Sequence, residues 1–435
     1  MGYKLSNTVA IALCLGAIIS DTLFVFTGVP IAQIGSLSIV AYILVGVFAI
    51  IIALQLGELS STMPHSKGGA YSYVTKSFGS ELGFITGALL YLAYCAMTSV
   101  IALGFSGYLL SMLGISNEPL QIAVAVLSII AISVVNMYGL RKTSGLTRIL
   151  VTVALLSAAI FCIFSFSYGI NKGTIAAVLT YAGNGGAGTF LQATTAIVFA
   201  YSSFQIMVTL ADNIKEDGKG AAKIMAVSIL LGAIAYVAVT MGLIALIAVP
   251  HAISANPLIY ALSYVNAPRV IELAIGAGIL FSIAAALIML VFTSSRLVYE
   301  IGHDNLLPRI SRLYDKEKGV ATSGIWISAL LSITLLFAGN IYVILSISNF
   351  GIIVSWAMAC FALINMRRRN ITRKFSSPYY PFLSILSIVV CIVLLFGLPG
   401  NSLAFGITII LLLLVIYYII VEIKYKKVPR LKLFD

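Results

Sequence analysis

Gly16-Ala17-Ile18-Ile19-Ser20-Asp21-Thr22-Leu23-Phe24 is the stretch on which the fold turns. A carboxylate between two hydroxyl residues sits inside a run otherwise suited to hydrocarbon, and an unpaired charge at that depth costs several kcal/mol. Nearly every other acidic residue lies near the end of an apolar run or in a loop, so Asp21 is the ionisable group expected at mid-membrane depth. The reading is that Ser20-Asp21-Thr22 marks a break in a membrane helix and lines a polar binding site. A plainer alternative is a helix cap satisfied by nearby amides.

The composition around this stretch is that of an integral membrane protein. Of 435 residues, 61% are hydrophobic and 9% charged, against about 25% charged in soluble domains; the mean hydropathy is +1.09. The apolar runs reach about 20 residues, enough to cross about 30 Å of hydrocarbon as helix. They lack the two-residue alternation of a barrel, so the expected class is all-α. The net charge of +12 sorts by side rather than pointing to nucleic acid. With a cytoplasmic N-terminus and alternating spans, only Lys172 and Arg269 of the 26 Lys and Arg fall outside. That bias predicts an even number of crossings and both termini in the cytoplasm.

Twelve transmembrane helices are expected, at about 8–27, 36–63, 81–113, 121–140, 147–168, 187–211, 223–249, 270–299, 320–337, 341–366, 381–398 and 402–424. The first is read as a retained helix rather than a signal peptide, because it has no cleavage-site pattern. The sixth contains Phe199-Ala200-Tyr201-Ser202-Ser203-Phe204-Gln205, again with hydroxyl residues in mid-span. A serine in a membrane helix usually bonds back to the preceding turn. Matching interruptions in two halves, however, are the pattern of an inverted-repeat transporter. On that reading residues 1–168 form the first repeat and 187–366 the second, with discontinuous first and sixth helices. Residues 367–435 add two accessory spans and a basic tail, whose Lys426, Lys427, Arg430 and Lys432 would face anionic headgroups.

The candidate substrate-binding residues are Ile19, Ser20, Asp21, Thr22, Tyr94, Phe199, Ala200, Tyr201, Ser202, Ser203 and Phe204, with Phe204 as a lid. Ser282, Thr293 and Ser294 could offer oxygens to a cation, although bonding between helices would also account for them. Arg296 and Glu300, spaced to pair on one helix face, join Glu58 and Asp212 as a candidate cytoplasmic gate. A solvated interface is the plainer reading of those four. Gly83 and Gly87, four apart, would let the third span pack tightly against another helix. Pro64 would stop the second span, and Gly68-Gly69 would let the backbone bend.

Three motifs resemble the amino acid-polyamine-organocation (APC) transporters. The first runs from Glu58-Leu59 to Pro64, then Gly68-Gly69-Ala70-Tyr71, Phe78-Gly79 and Gly83-Phe84. The second is Phe199-Ala200-Tyr201 leading to Ala211-Asp212, and the third is Ser295-Arg296 through Tyr299, Asp304, Leu307 and Pro308. Together they cover about residues 10–330 in order. The resemblance implies a LeuT-like five-plus-five inverted repeat and transport by alternating access. It departs from the family at Ser20-Asp21-Thr22, where many members carry Gly-Ser-Gly to hold a substrate carboxylate. No lysine lies near Ala154, where some proton-coupled members have one.

Two mechanisms follow for an amino acid permease-like chain in the plasma membrane. In the first, Asp21 is a proton site that enters neutral with an amino acid or amine and releases H+ inside. In the second, it stays charged as the counter-ion of a cation such as potassium or a polyamine. Some potassium importers of the superfamily share an aspartate there, but their neighbouring tyrosine has no match at Gly28. A sensor subunit that keeps the fold without transporting is a third reading. An enzyme is not expected: His65, His251 and His303 are far apart, and no nucleophile, metal-ligand or phosphate-loop pattern occurs. The five cysteines stand singly, so neither disulfides nor zinc are expected, and no cofactor is called for.

Overall fold

In the structure, a computed structural model, residues 4–19, 22–63, 66, 68–183, 185–214, 219–247, 256–337, 341–369 and 373–425 are described. Ser20 and Asp21, the centre of the opening stretch, lie outside the described residues, as do Pro64, His65, His251 and the basic tail beyond 425. The side chains of Thr22 and Asp212 also lie outside them.

The described chain is helical, without β-strands beyond three isolated bridges. In order the helices are α1 (Asn7–Ile19), α2 (Gly28–Ile34), α3 (Leu37–Thr62), α4 (Ala70–Phe78), α5 (Ser80–Met112), α6 (Glu118–Asn136), α7 (Leu140–Lys172), α8 (Ala177–Thr180) and α9 (Ala187–Ser202). They continue as α10 (Ile206–Thr209), α11 (Lys219–Ile247), α12 (Pro257–Tyr264), α13 (Arg269–His303), α14 (Thr322–Leu336), α15 (Ile341–Arg368), α16 (Phe382–Phe396) and α17 (Ser402–Tyr425). Among the described residues, nine helices are long and apolar enough to cross a membrane. Three shorter apolar helices, α1, α14 and α16, fall where further spans were expected.

Local chemistry sets the boundaries. Asn117 caps α6 by accepting from Leu120 N at 2.9 Å, with Pro119 in the first turn, where its missing N–H costs nothing. Gly69, at φ +59°, starts α4 in a conformation that a side chain would strain. Small residues then let the long helices approach each other. A Cβ on Gly57 would stand 2.3 Å from Ala222 Cβ of α11, so α3 and α11 pack nearly backbone to backbone. Gly83 and Gly87 work differently from the expectation: their missing Cβ atoms make room for Thr75 and the Tyr71 ring of α4, the short helix just before. They close a helical corner rather than a span-to-span seam, because Gly79 turns the chain back at once.

The outer surface carries exposed apolar side chains such as Leu127, Ile163, Val389 and Leu411. On a helical protein of this hydropathy that surface belongs in lipid. The core lies between α1, α3, α5, α9, α11, α13 and α15, and the candidate site sits within it.

Candidate functional site

The α-helical geometry of α1 ends at Ile19, and a π-helical turn follows at Thr22–Phe26. A π-turn frees carbonyls from the regular ladder and is common at functional sites. Two side chains meet carbonyls here. Tyr236 of α11 donates its hydroxyl to Ile18 O at 2.6 Å, and Tyr108 of α5 donates to Phe24 O at 2.5 Å. Thr27 donates back to Leu23 O.

The matching segment on α9 tightens without leaving the right-handed region. Residues Ser203–Gln205 form a 3₁₀ turn between α9 and α10, with Ser203 at φ −66°, ψ −13°. Such a turn in mid-helix weakens the hydrogen-bond ladder and offers a hinge. Ala200 O lies 3.3 Å from the same Tyr236 hydroxyl that serves Ile18. The Phe26 and Phe199 rings sit 5.5 Å apart, and Cys14 Sγ lies 3.9 Å from Phe204 O. The end of α1 and the α9 turn are therefore neighbours, joined through one phenol.

The six candidate residues on α9 and its 3₁₀ turn point to different neighbours. Tyr201 faces α3, where its hydroxyl donates to Tyr42 O at 3.0 Å. Ser202 bonds back to Phe199 O at 2.9 Å. Phe199 and Ala200 adjoin the π-turn and Tyr236, Ser203 is buried at the start of the 3₁₀ turn, and Phe204 stacks on Trp356 of α15 at 5.6 Å. Trp356 Nε1 also donates to Gln205 Oε1 at 3.3 Å, whereas Gln205 Nε2 has no partner among the described residues. Of the first-span candidates Ile19 is buried. On α13, Thr293 and Ser294 bond back to Met289 O and Val291 O within their own helix.

Beyond Phe204, towards the Lys/Arg-rich end, lies a small cavity lined by Tyr94, Gln205, Thr209, Gly68, Gly69 and Leu297. Its volume is about 10 Å³ for the centre of a water-sized sphere, room for about one water. Below it the chain is shut. Leu5 N donates to Asn213 O at 2.6 Å, and the buried Arg296 donates to Thr209 O at 2.9 Å and Asn213 Oδ1 at 3.3 Å. Tyr71 donates to Asp304 Oδ2 at 2.5 Å, tying α4 to the end of α13. Burial first, and then the Asp304 carboxylate, push the Tyr71 phenol well above its ordinary value, so it remains a donor.

Of the expected gate residues, Glu58 and Arg296 have different partners among the described residues. Both Glu58 oxygens are taken by Arg367 at 2.6 and 2.7 Å, with Ser377 and Arg373 adding further contacts, while Arg296 engages the end of α10. Glu300 Cβ lies 3.4 Å from where a Gly68 Cβ would stand, beside α4. Tyr236, Trp356 and Arg367 were not singled out from sequence, and Gln205 stood in the sixth-span run without a role. A signal existed for Trp356, one of only two tryptophans. None existed for Tyr236, which lies between Ala235 and Val237 in an apolar helix.

A family model described as amino acid permease matches residues 9–433. The methylthioribose transporter of Bacillus subtilis (strain 168) is 24% identical, across 89% of this chain and 86% of its own. The branched-chain amino acid permease BcaP of the same organism is 23% identical, across 93% and 90%. Its serine/threonine exchanger SteT is 25% identical, across 87% of each. Among solved structures, the nucleobase-cation-symport-1 family transporter Mhp1, closed with bromovinylhydantoin bound, superposes with a TM-score of 0.60 at 14% identity, covering 100% of this chain and 95% of its own. At that identity the likeness concerns the fold alone.

Proposed function

Because this chain belongs to the amino acid permease family, we propose that it carries amino acids or related amines across the plasma membrane by alternating access, with Asp21 coupling the movement to H+. The observation that carries the reading is the shared phenol. Tyr236 reaches Ile18 O and Ala200 O, so the end of α1 and the 3₁₀ turn after α9 meet where a substrate could use their carbonyls and amides.

The finer architecture is part of the proposal: twelve crossings, discontinuous first and sixth helices, both termini in the cytoplasm, and repeats at 1–168 and 187–366. Two parallels support the repeats. The long helices α5 and α13 are each preceded by a short one, α4 and α12, and each proposed half opens with an irregular first span. Residues 367–435 then supply α16, α17 and the tail. The substrate would lie against Ile19, Ser20, Asp21 and Thr22 on one side and Phe199, Ala200, Ser203 and Phe204 on the other, with Tyr94 towards the inner cavity. Tyr201 and Ser202 would act by setting the turn, since their hydroxyls already have partners. Arg296, with Asp212 and Glu300, would keep the cytoplasmic end shut.

The test is flux into proteoliposomes with amino acids, amines and potassium in parallel, at several pH values, for wild type and Asp21→Asn. The proposal expects amino acid uptake that rises with an inward proton gradient, and an Asp21→Asn protein that binds substrate but cannot concentrate it. Lost binding of cations in Asp21→Asn would instead make Asp21 a counter-ion. Uptake indifferent to pH would remove the proton.

A further inference from the structure

We propose that Arg367 and Ser377 hold Glu58 as a positioning residue for alternating access, so that the link between α15 and α16 clamps α3 while the Lys/Arg-rich end is shut. The clamp rests on the transport reading above. Glu58 lies in the last turns of α3, with a side chain 1% exposed. Arg367 grips it from the end of α15 with two parallel bonds, Nε to Oε1 at 2.7 Å and Nη2 to Oε2 at 2.6 Å. The Ser377 amide and hydroxyl each donate to Oε2 at 2.7 Å, and Arg373 stands 3.5 Å from Oε1. Arg367 is itself fixed, with its guanidinium 4.1 Å over the Tyr380 ring and Nη2 donating to Ser377 O at 2.9 Å.

Stability alone does not require so many donors on one carboxylate. An apolar set of the same shape commonly serves a core as well or better, whereas a buried pair loses its stabilisation sharply once its partners separate. That behaviour suits a latch. The latch also connects to the site, because α15 carries Trp356 against Phe204 and, eleven residues on, Arg367 against Glu58. The two are about 16 Å apart along one continuous helix. A shift of the 3₁₀ turn that displaces Trp356 therefore reaches Arg367 through a rigid body. Release of Glu58 then frees α3 and the Gly68-Gly69 turn that roofs the inner cavity.

The test places a reporter in that cavity, Thr209→Cys, and measures its labelling by a membrane-permeant maleimide in proteoliposomes, above that of protein without the added cysteine. Glu58→Gln should label about tenfold faster, a shift of about 1.4 kcal/mol towards the open form. Arg367→Lys, which keeps the charge but loses the fork and the stacking, should fall between the two. Glu58→Gln/Arg367→Gln should label no faster than Glu58→Gln alone, because both changes break one interaction. Unchanged labelling in folded Glu58→Gln and Arg367→Lys, or additive rates in the double variant, would overturn the clamp. If Glu58→Gln does not fold, Arg367→Lys, which keeps a cation beside Glu58, and the double variant, which removes both charges of the pair, are read against wild type, and wild-type labelling in both would overturn the clamp. Labelling needs no substrate, so a wild type that moves no amino acid would sink the transport reading and leave the clamp result standing.

Discussion

The phenolic oxygen of Tyr236 stands 2.6 Å from the carbonyl oxygen of Ile18, one residue before α1 ends. Carbonyls in the last turn of a buried helix draw on partners from outside it. Here α11 supplies one, and the same hydroxyl lies 3.3 Å from Ala200 O. Helix α11 thereby ties the end of α1 to the last turn of α9, each next to irregular backbone.

Tyr236→Phe should therefore weaken the site without emptying the core. The ring would keep its stacking on Tyr42, whose centroid is 5.0 Å away, but Ile18 O would lose a buried donor. The cost is about 1–3 kcal/mol, read as a lower melting temperature in detergent. Substrate KM should rise with it. A variant with normal stability and normal KM would show that the bond does not set the site.

Trp356 provides an optical reading of the same region. Trp326 is 45% exposed on the apolar exterior, whereas Trp356 is fully buried against Phe204 and Phe48. In Trp326→Phe protein, emission comes from Trp356 alone, and substrate should shift it as the Phe204 contact changes. Trp356→Ala should cost about 3–5 kcal/mol through the cavity it leaves. Trp356→Phe keeps a ring on Phe204 but leaves Gln205 Oε1 without its donor, so its effect on transport should exceed its effect on melting.

How much of this the sequence disclosed depends on how local the physics was. The span from 36 to 63 is α3 at Leu37–Thr62, and that from 341 to 366 is α15 at Ile341–Arg368, because a long apolar run fixes a membrane helix almost unaided. In the sixth span the pair Ser202-Ser203 adjoins a 3₁₀ turn, in keeping with the competition of hydroxyl residues with the helix ladder. Partners far along the chain were not legible. Glu58 meets an arginine 309 residues away. Arg367-Arg368-Arg369 read only as charge on the cytoplasmic side, and nothing in the run shows which one turns inward. Gly83 and Gly87 announced close approach, but their spacing could not say that the approaching helix was the adjacent one.

Close approach itself can be tested at Gly57. Gly57→Leu must push against both the Cβ and the backbone of Ala222, with its own Cβ 2.3 Å from one and 2.8 Å from the other. Overpacking of this kind costs about 1–3 kcal/mol or more, and rigid backbone cannot give as a side chain can. Expression of folded protein should fall sharply. Gly188→Ala, with nothing within 4 Å, should be neutral or slightly stabilising because it lies in the first turn of α9. Equal losses in both variants would show that the α3–α11 contact is looser than described.

The bond from Tyr71 to Asp304 makes a prediction with a definite direction in pH. The phenol is raised in the folded protein, by burial first and by the carboxylate second, while the unfolded chain keeps the ordinary value near 10. A raised group contributes its full stability below the unfolded value and loses it as pH climbs towards the folded one. Wild type and Tyr71→Phe should therefore differ by a constant amount in melting temperature from about pH 6 to 9. Above pH 10 the wild type should lose ground, because its unfolded chain can ionise at Tyr71 and the variant's cannot. A difference that stays flat from pH 6 into alkali would mean that the hydroxyl does not reach Asp304 in solution, and that the end of α13 is held to α4 by packing alone.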